Sequence, residues 1–354
     1  MARHELADAE PTASTAVRVW LWSVWASVLG MVLVGGITRL TGSGLSMVEW
    51  HPLMGALPPL DEAAWRQVFD QYKRSPQFEQ VNSWMTLSDF KRIFFWEYLH
   101  RLAGRLVGLL AFLPWLYFLV RGRLSASLAR RTFAAIVLGG MQGVLGWYMV
   151  QSGLVDEPRV SHFRLAAHLL LAFGVGMWVL WVTLDATRSR RQDALSAGPV
   201  RAFVLAFIAL LLLQTAYGAF MAGTRAGYYY GTFPDMAGHF GPGPFFRGES
   251  VLDDAVNSPS AIHYLHRLLG WLTFFFGIFL WFYVRRVDPR PAVRRAGAAV
   301  GALVFVQLNL GALTVIKRVA IPWAVAHQGM AYLLLSATIV LLHRAMGSGR
   351  DVDG

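Results

Sequence analysis

The sequence predicts an all-α integral membrane protein, with eight transmembrane helices forming two tandem four-helix bundles related by a parallel internal repeat. Three observations predict it. Of 354 residues, 55% are hydrophobic and only 15% charged, whereas soluble domains carry about a quarter charged residues. Eight long apolar runs recur along the chain. Pieces of the first half's sequence return at matching places in the second.

The runs cover 18–36, 94–120, 131–151, 162–186, 200–223, 260–284, 294–316 and 323–345. Each is close to the twenty or so residues a helix needs to cross about 30 Å of hydrocarbon. Only helices and closed barrels satisfy their backbone in lipid, and runs this long are helices. The first run is not read as a signal peptide. Glu5, Asp8 and Glu10 offset Arg3 ahead of it, and it ends in Gly35-Gly36-Ile37-Thr38-Arg39 rather than a small-residue cleavage site. The same acids argue against a mitochondrial transit peptide.

The net charge of +11 invites a nucleic-acid reading until the charges are placed. Arg121, Arg123, Arg130 and Arg131 follow the second run. Arg188, Arg190, Arg191 and Arg201 follow the fourth, and Arg285, Arg286, Arg290, Arg294 and Arg295 the sixth. Loops after odd runs mix both signs. The positive-inside rule then puts both termini in the cytoplasm, and no nucleic-acid partner is needed. The organisation expected is a cytoplasmic tail 1–17, a first half 18–186, a linker 187–199, a second half 200–345 and a tail 346–354. The long outer loops are 37–93 and 224–259. In the first, 61–69 reads as a short amphipathic helix with an acidic first turn, and 89–96 as an interfacial approach to the second span. In the second, Gly and Pro over 238–248 predict irregular chain.

The repeat rests on three matches. Tyr98-Leu99-His100-Arg101-Leu102-Ala103-Gly104 parallels Tyr264-Leu265-His266-Arg267-Leu268-Leu269-Gly270. Gln142-x-x-x-Gly146 parallels Gln307-x-x-x-Gly311, and Thr38-Arg39 parallels Thr224-Arg225. Together they argue for a duplicated four-span unit. An even number of spans per unit makes the repeat parallel, which weighs against transporters built on inverted repeats.

Ten histidines are present, and His100, His168, His266 and His327 lie inside spans. Each is on an even-numbered span, four to seven residues from the outer end. At 1.5 Å per residue that is a depth of roughly 6–10 Å. A single intramembrane His serves equally well as an interhelical hydrogen-bonding residue. Four at one depth point instead to ligands, since neutral imidazole suits iron, copper or zinc. Cysteine is absent, which excludes thiolate metal sites, iron–sulfur clusters and covalent heme attachment through C-x-x-C-H. Paired imidazoles suit the axial positions of a heme, and the repeat pairs His100 with His168 and His266 with His327. Arg39 and Arg225, at the outer ends of the first and fifth spans, are placed to pair with heme propionates. Snorkelling to headgroups is an equal alternative. Glu97 stands one turn before His100, where the second half has His263. Either it forms an ion pair with Arg101 or Arg105, or it moves protons beside a reacting group. The other histidines rank lower: His162 is interfacial, His51, His239 and His263 lie in outer loops or at the boundary, and His4 and His343 are cytoplasmic.

The run Gly35-Gly36-Ile37-Thr38-Arg39-Leu40-Thr41-Gly42-Ser43-Gly44-Leu45-Ser46-Met47-Val48-Glu49-Trp50, with Pro58-Pro59 after it, resembles the start of the first outer loop in heme A synthases. So do Glu97-x-x-His100-Arg101, Tyr264-Leu265-His266-Arg267 and Ala326-His327-Gln328. The resemblance spans essentially the whole chain. It implies an eight-helix oxidoreductase that converts heme O to heme A by oxidising a ring methyl to a formyl group through an alcohol. The product serves heme–copper oxidases. It also implies substrate heme O in the first half, at His100, His168 and Glu97. Cofactor heme b would be held by His266 and His327 in the second half. Without loop cysteines the chain is similar to the alphaproteobacterial and mitochondrial branch, and a bacterial plasma membrane is the expected location. Expected partners are heme O, an unnamed electron donor or acceptor, membrane lipid, heme O synthase, cytochrome oxidase assembly factors and a second copy of the chain. Two rivals stay open on the residues alone: a diheme b-type cytochrome that only carries electrons, and a heme transporter or chaperone.

Overall fold

The computed structural model describes residues 13–49, 57–155, 157–187, 198–246, 248 and 250–346. Both expected tails (in large part), most of the linker, His4 and His51 lie outside these. Within them the regular structure is helical. The helices are α1 (Thr15–Leu40), α2 (Glu62–Tyr72), α3 (Leu87–Val120), α4 (Ala126–Gln151), α5 (His162–Thr187), α6 (Gly198–Gly223), α7 (Val251–Asn257), α8 (Pro259–Val287), α9 (Pro291–Ile316) and α10 (Ile321–Ala345). All but α2 and α7 are long and apolar enough to cross a membrane, so the eight expected spans are present.

Local chemistry sets their starts. Ser14, Asp61 and Ser125 each accept a hydrogen bond from a backbone N–H in the first turn. Proline opens α8 and α9, where its missing N–H costs nothing. The largest departure from the sequence reading is α3, which begins seven residues before the expected span. Thr86 and Asp89 close a reciprocal capping box there. The added turns carry Phe90 and Ile93, which with Phe94 pack on Phe69 and Tyr72 of α2. At 34 residues and 1.5 Å each, α3 is about 50 Å long, so its first turns project beyond the bilayer.

The spans pack as two closed rings of the same order. α1 meets α3, α3 meets α4, α4 meets α5 and α5 returns to α1. Likewise α6, α8, α9 and α10 form a ring. The rings join along α1, α5, α6 and α10. Between packed helices in lipid there is little hydrophobic drive, so close fit and hydrogen bonds hold the seam. Phe173 of α5 and Tyr332 of α10, both fully buried, meet edge to face at 5.3 Å. Gln328 Nε2 of α10 donates to Val32 O of α1 at 2.8 Å. The described parts of the linkers 41–86 and 224–258 lie at one end of the bundle, referred to below as the loop end. All four span histidines are nearer to it than to the far end.

Candidate functional site

Each span histidine lies against a glycine of a neighbouring helix. A Cβ on Gly35 of α1 would stand 3.1 Å from His100 Cε1, and one on Gly146 of α4 would stand 3.0 Å from His168 Cε1. The corresponding distances are 3.4 Å from Gly218 of α6 to His266 and 2.9 Å from Gly311 of α9 to His327. Any larger residue would press on the imidazole. One turn before three of these glycines stands a glutamine: Gln142, Gln214 and Gln307. Gln142 Nε2 donates to His168 O at 2.9 Å and lies 3.2 Å from His168 Nδ1. Gln214 Nε2 donates to His266 O at 3.1 Å. On α1 the same place is taken by Met31, whose methyl faces Gly104, as Gln214 faces Gly270. The motif in α6 was overlooked in the sequence, although Gln214-x-x-x-Gly218 repeats the spacing seen in α4 and α9.

The predicted pairs come together. His266 and His327 have ring centroids 6.4 Å apart and planes at 84°. A metal–nitrogen bond of about 2 Å on each side, with the ring radii added, separates two axial imidazole centroids by about 6–6.5 Å. Nδ1 of both rings is buried, and His266 pairs with the backbone of Gln214 and His327 with that of Gln307, which leaves the other ring nitrogen of each for a metal. The residues therefore fit a heme held between them. His100 and His168 are close enough to interact electrostatically. All four rings stay half-buried in the chain alone. Among the described residues no three His, Asp or Glu side chains converge on one point, so two-ligand axial binding is the metal chemistry on offer.

Glu97 is tied to the loop end. Its Oε2 accepts from Ser46 Oγ at 2.7 Å and from Met47 N at 2.8 Å. Arg101 Nη2 lies 2.6 Å from Oε1. The carboxylate is 4% exposed, so its burial is offset by three charge-assisted hydrogen bonds. Arg101 also donates to Met47 O and Glu49 O. Of the alternatives drawn from the sequence, the ion pair with Arg101 is present. Its counterpart, His263, lies in the first turns of α8, near the boundary. It is fully buried, with Nδ1 3.1 Å from Ala226 O. Arg267 Nη1 donates to Asp235 O at 2.6 Å. Position 97 or 263, with the arginine four residues on, thus clamps each half's outer linker. The Gly238 amide, 2.6 Å away, holds the exposed Asp235 carboxyl below its usual range.

The two expected propionate partners are placed differently. Arg39, inside α1, crosses the seam and donates to Ala222 O at the end of α6; its Nε is buried without a hydrogen-bond partner. Arg225 follows α6 in a left-handed conformation, φ 56°. Measured from the glycine under each histidine, Arg39 is four residues on and Arg225 seven, so the two Thr-Arg pairs differ in register by about a turn. His162 opens α5 and bonds Val256 O at 2.8 Å. His343, expected on the cytoplasmic side, lies at the far end with Nε2 2.7 Å from Asp185 Oδ1.

Two rings of spans, each with an imidazole pair backed by glycine, define a multi-span membrane protein whose histidine pairs suit a heme. The chain belongs to the cytochrome oxidase assembly protein family COX15-CtaA, whose model matches residues 18–339. It is 40% identical over 329 residues to the heme A synthase of Nitrosospira multiformis, covering 92% of each chain. To the heme A synthase of Parvibaculum lavamentivorans it is 41% identical over 329 residues, 93% of this chain and 94% of the other. To that of Caulobacter vibrioides it is 42% identical over 330 residues, 92% and 95% of the two chains.

Proposed function

We propose that this protein is a membrane oxidoreductase that converts heme O to heme A for assembly of heme–copper oxidases. We further assign the reaction to the first half, heme b to His266 and His327 in the second, and the two halves to a duplicated unit. The observation that carries the assignment of halves is the difference at one matched position. The imidazole pairs, their glycines and the arginine clamps recur, but only the first half has a carboxylate, Glu97, one turn from its histidine.

In this reading His100 and His168 hold the substrate heme by its iron, and the glycines beneath them let the imidazoles sit close to their neighbouring helices. Gln142, which donates to His168 O, holds the backbone of α5 against α4 beside the ring. Ser46, Met47 and Arg101 fix Glu97 and with it the linker over the loop end, which excludes water from the reacting methyl. Glu97 takes the proton released as the alcohol goes on to the formyl stage. Arg39 and Arg225 are the cations at the same end for propionates. Oxidation of an unactivated methyl carbon is beyond any side chain, so iron supplies that chemistry. The positive-inside pattern supports cytoplasmic termini, and a bacterial plasma membrane is the proposed location. Heme O synthase, oxidase assembly factors and an electron donor or acceptor are the proposed partners.

The test is replacement of each histidine. His100→Ala is expected to abolish heme A while leaving the heme of the second half in place, and His327→Ala to remove that heme. Two tightly held hemes b and no modified porphyrin, with or without heme O, would favour the electron-carrying cytochrome instead.

A further inference from the structure

The halves differ a second time, in the volume between the second and third helices of each ring. In the second half this interface is filled. A Cβ on Gly277 of α8 would meet Val304 of α9 at 2.6 Å, and one on Gly301 of α9 would meet Trp281 of α8, also at 2.6 Å. Val304 is buried, and Phe274 packs against the same core. In the first half α3 and α4 meet near the far end, where Trp115 Nε1 donates to Ala129 O at 3.1 Å and its ring lies 5.2 Å from Phe133. Toward the histidines, glycines of both helices face open space. A Cβ on Gly108 of α3, or on Gly139 or Gly143 of α4, would meet nothing within 4 Å.

The shared motifs give the register. Counting from His100 and His266, Gly108 corresponds to Phe274. Counting from Gln142-x-x-x-Gly146 and Gln307-x-x-x-Gly311, Gly139 corresponds to Val304 and Gly143 to Leu308. Three glycines thus stand where the other half carries three large apolar side chains. Gly104 and Gly108 are spaced one turn apart below His100. Gly143 and Gly139 are similarly spaced below Gly146, which backs His168. The groove therefore starts at the first imidazole pair and descends between α3 and α4 until Trp115 closes it. From residue 100 to 115 that is about 20 Å of helix.

We infer that this groove holds the isoprenoid tail of heme O, and that Gly108, Gly139 and Gly143 determine specificity for a tailed heme over protoheme. The inference rests on placing substrate in the first half. Heme O differs from protoheme by a long apolar chain, and a half that takes protoheme has no use for such a groove. The filled interface of α8 and α9 matches that need. A tail laid along glycine backbone gains dispersion contacts and fixes the rotation of the macrocycle about the axis of its axial ligands. That rotation decides which ring methyl meets Glu97.

The test fills the groove with the residues of the other half, Gly139→Val with Gly143→Leu on one wall and Gly108→Phe on the opposite wall. Heme O and protoheme are each titrated into the full-length protein in detergent, with the Soret band as readout. Affinity for heme O is expected to fall about tenfold or more, the effect of a few methylene groups losing their pocket, with protoheme binding to the first half unchanged. Equal loss for both hemes, or no loss for heme O in either variant, would overturn the inference. Failure of the underlying assignment looks different: His100→Ala would then leave heme O titration and conversion intact. Gly174→Ala on α5, where a Cβ likewise meets nothing within 4 Å, controls for the loss of a helical glycine and should bind both hemes as the parent does.

Discussion

The imidazole of His168 lies on the bare backbone of Gly146, and a single methyl there would stand 3.0 Å from Cε1. The same relation joins Gly311 to His327 at 2.9 Å and Gly35 to His100 at 3.1 Å. These glycines set where each imidazole stands. Gly146→Val should displace His168 and lower conversion of heme O by about ten- to a hundredfold, the cost of misplacing a reacting group by about 1 Å. The heme of the second half should remain. Gly311→Val should do the reverse and deplete the second heme. Heme content per chain and conversion, measured on both variants, check the pair. Loss of both hemes in either variant would show a general packing defect.

Glu97 has two jobs in this account, holding the linker and taking a proton. Glu97→Gln keeps one acceptor oxygen for Ser46 and Met47 but turns an amide toward Arg101. Arg101 retains Met47 O and Glu49 O, so the fold should lose only about 1–3 kcal/mol. Conversion should fall further than heme O affinity does. Parallel titration and turnover assays read the two quantities, and equal losses would leave Glu97 a clamp alone.

The projecting turns of α3 depend on the aromatic cluster with α2. Phe90 is fully buried and stacks on Tyr72 at 5.0 Å. The Tyr72 hydroxyl is hydrogen-bonded to Gln77 and Asn82, and burial raises its pKa. Phe90→Ala should destabilise this loop-end unit by about 3–5 kcal/mol. Hydrogen exchange should rise over 62–94 while the spans stay protected. Uniform exchange would show that the cluster anchors nothing.

Much of this was legible in the sequence. Twenty-residue apolar runs have few alternatives, so all eight spans and the four histidines inside them follow from hydropathy and helix rise. The start of α3 was not legible, because Phe90, Ile93 and Phe94 read as an interfacial stretch until α2 packs on them. The glycines beneath the histidines look like ordinary helix-packing glycines, since the ring each supports is on another helix. The bond from Arg39 to Ala222 O needs the seam, and sequence carries no signal of how the halves abut. His263 was within reach, since the repeat aligns it with Glu97 and both clamp a linker.

Between α8 and α9, Arg290 bonds both carboxylate oxygens of Asp288 at 2.9 and 2.6 Å and holds its pKa below the usual value. A depressed carboxyl pKa contributes stability that is fully present above the unfolded value, about 4, and lost as pH falls through the folded one. Asp288→Asn should lower the melting temperature at pH 7 and flatten its decline below about pH 4. An unchanged acid limb in Asp288→Asn would assign the acid sensitivity to other carboxylates.

The central claim is that the halves divide the labour, with substrate at His100 and His168 and resident heme at His266 and His327. Heme extraction and mass analysis of the purified protein, expressed with and without a source of heme O, tests it most directly when run beside His100→Ala and His327→Ala. The account predicts heme A or its alcohol precursor only with that source, none in His100→Ala, and heme b retained in His100→Ala but lost from His327→Ala. Heme A persisting in His100→Ala, or heme b lost there and kept in His327→Ala, would contradict it.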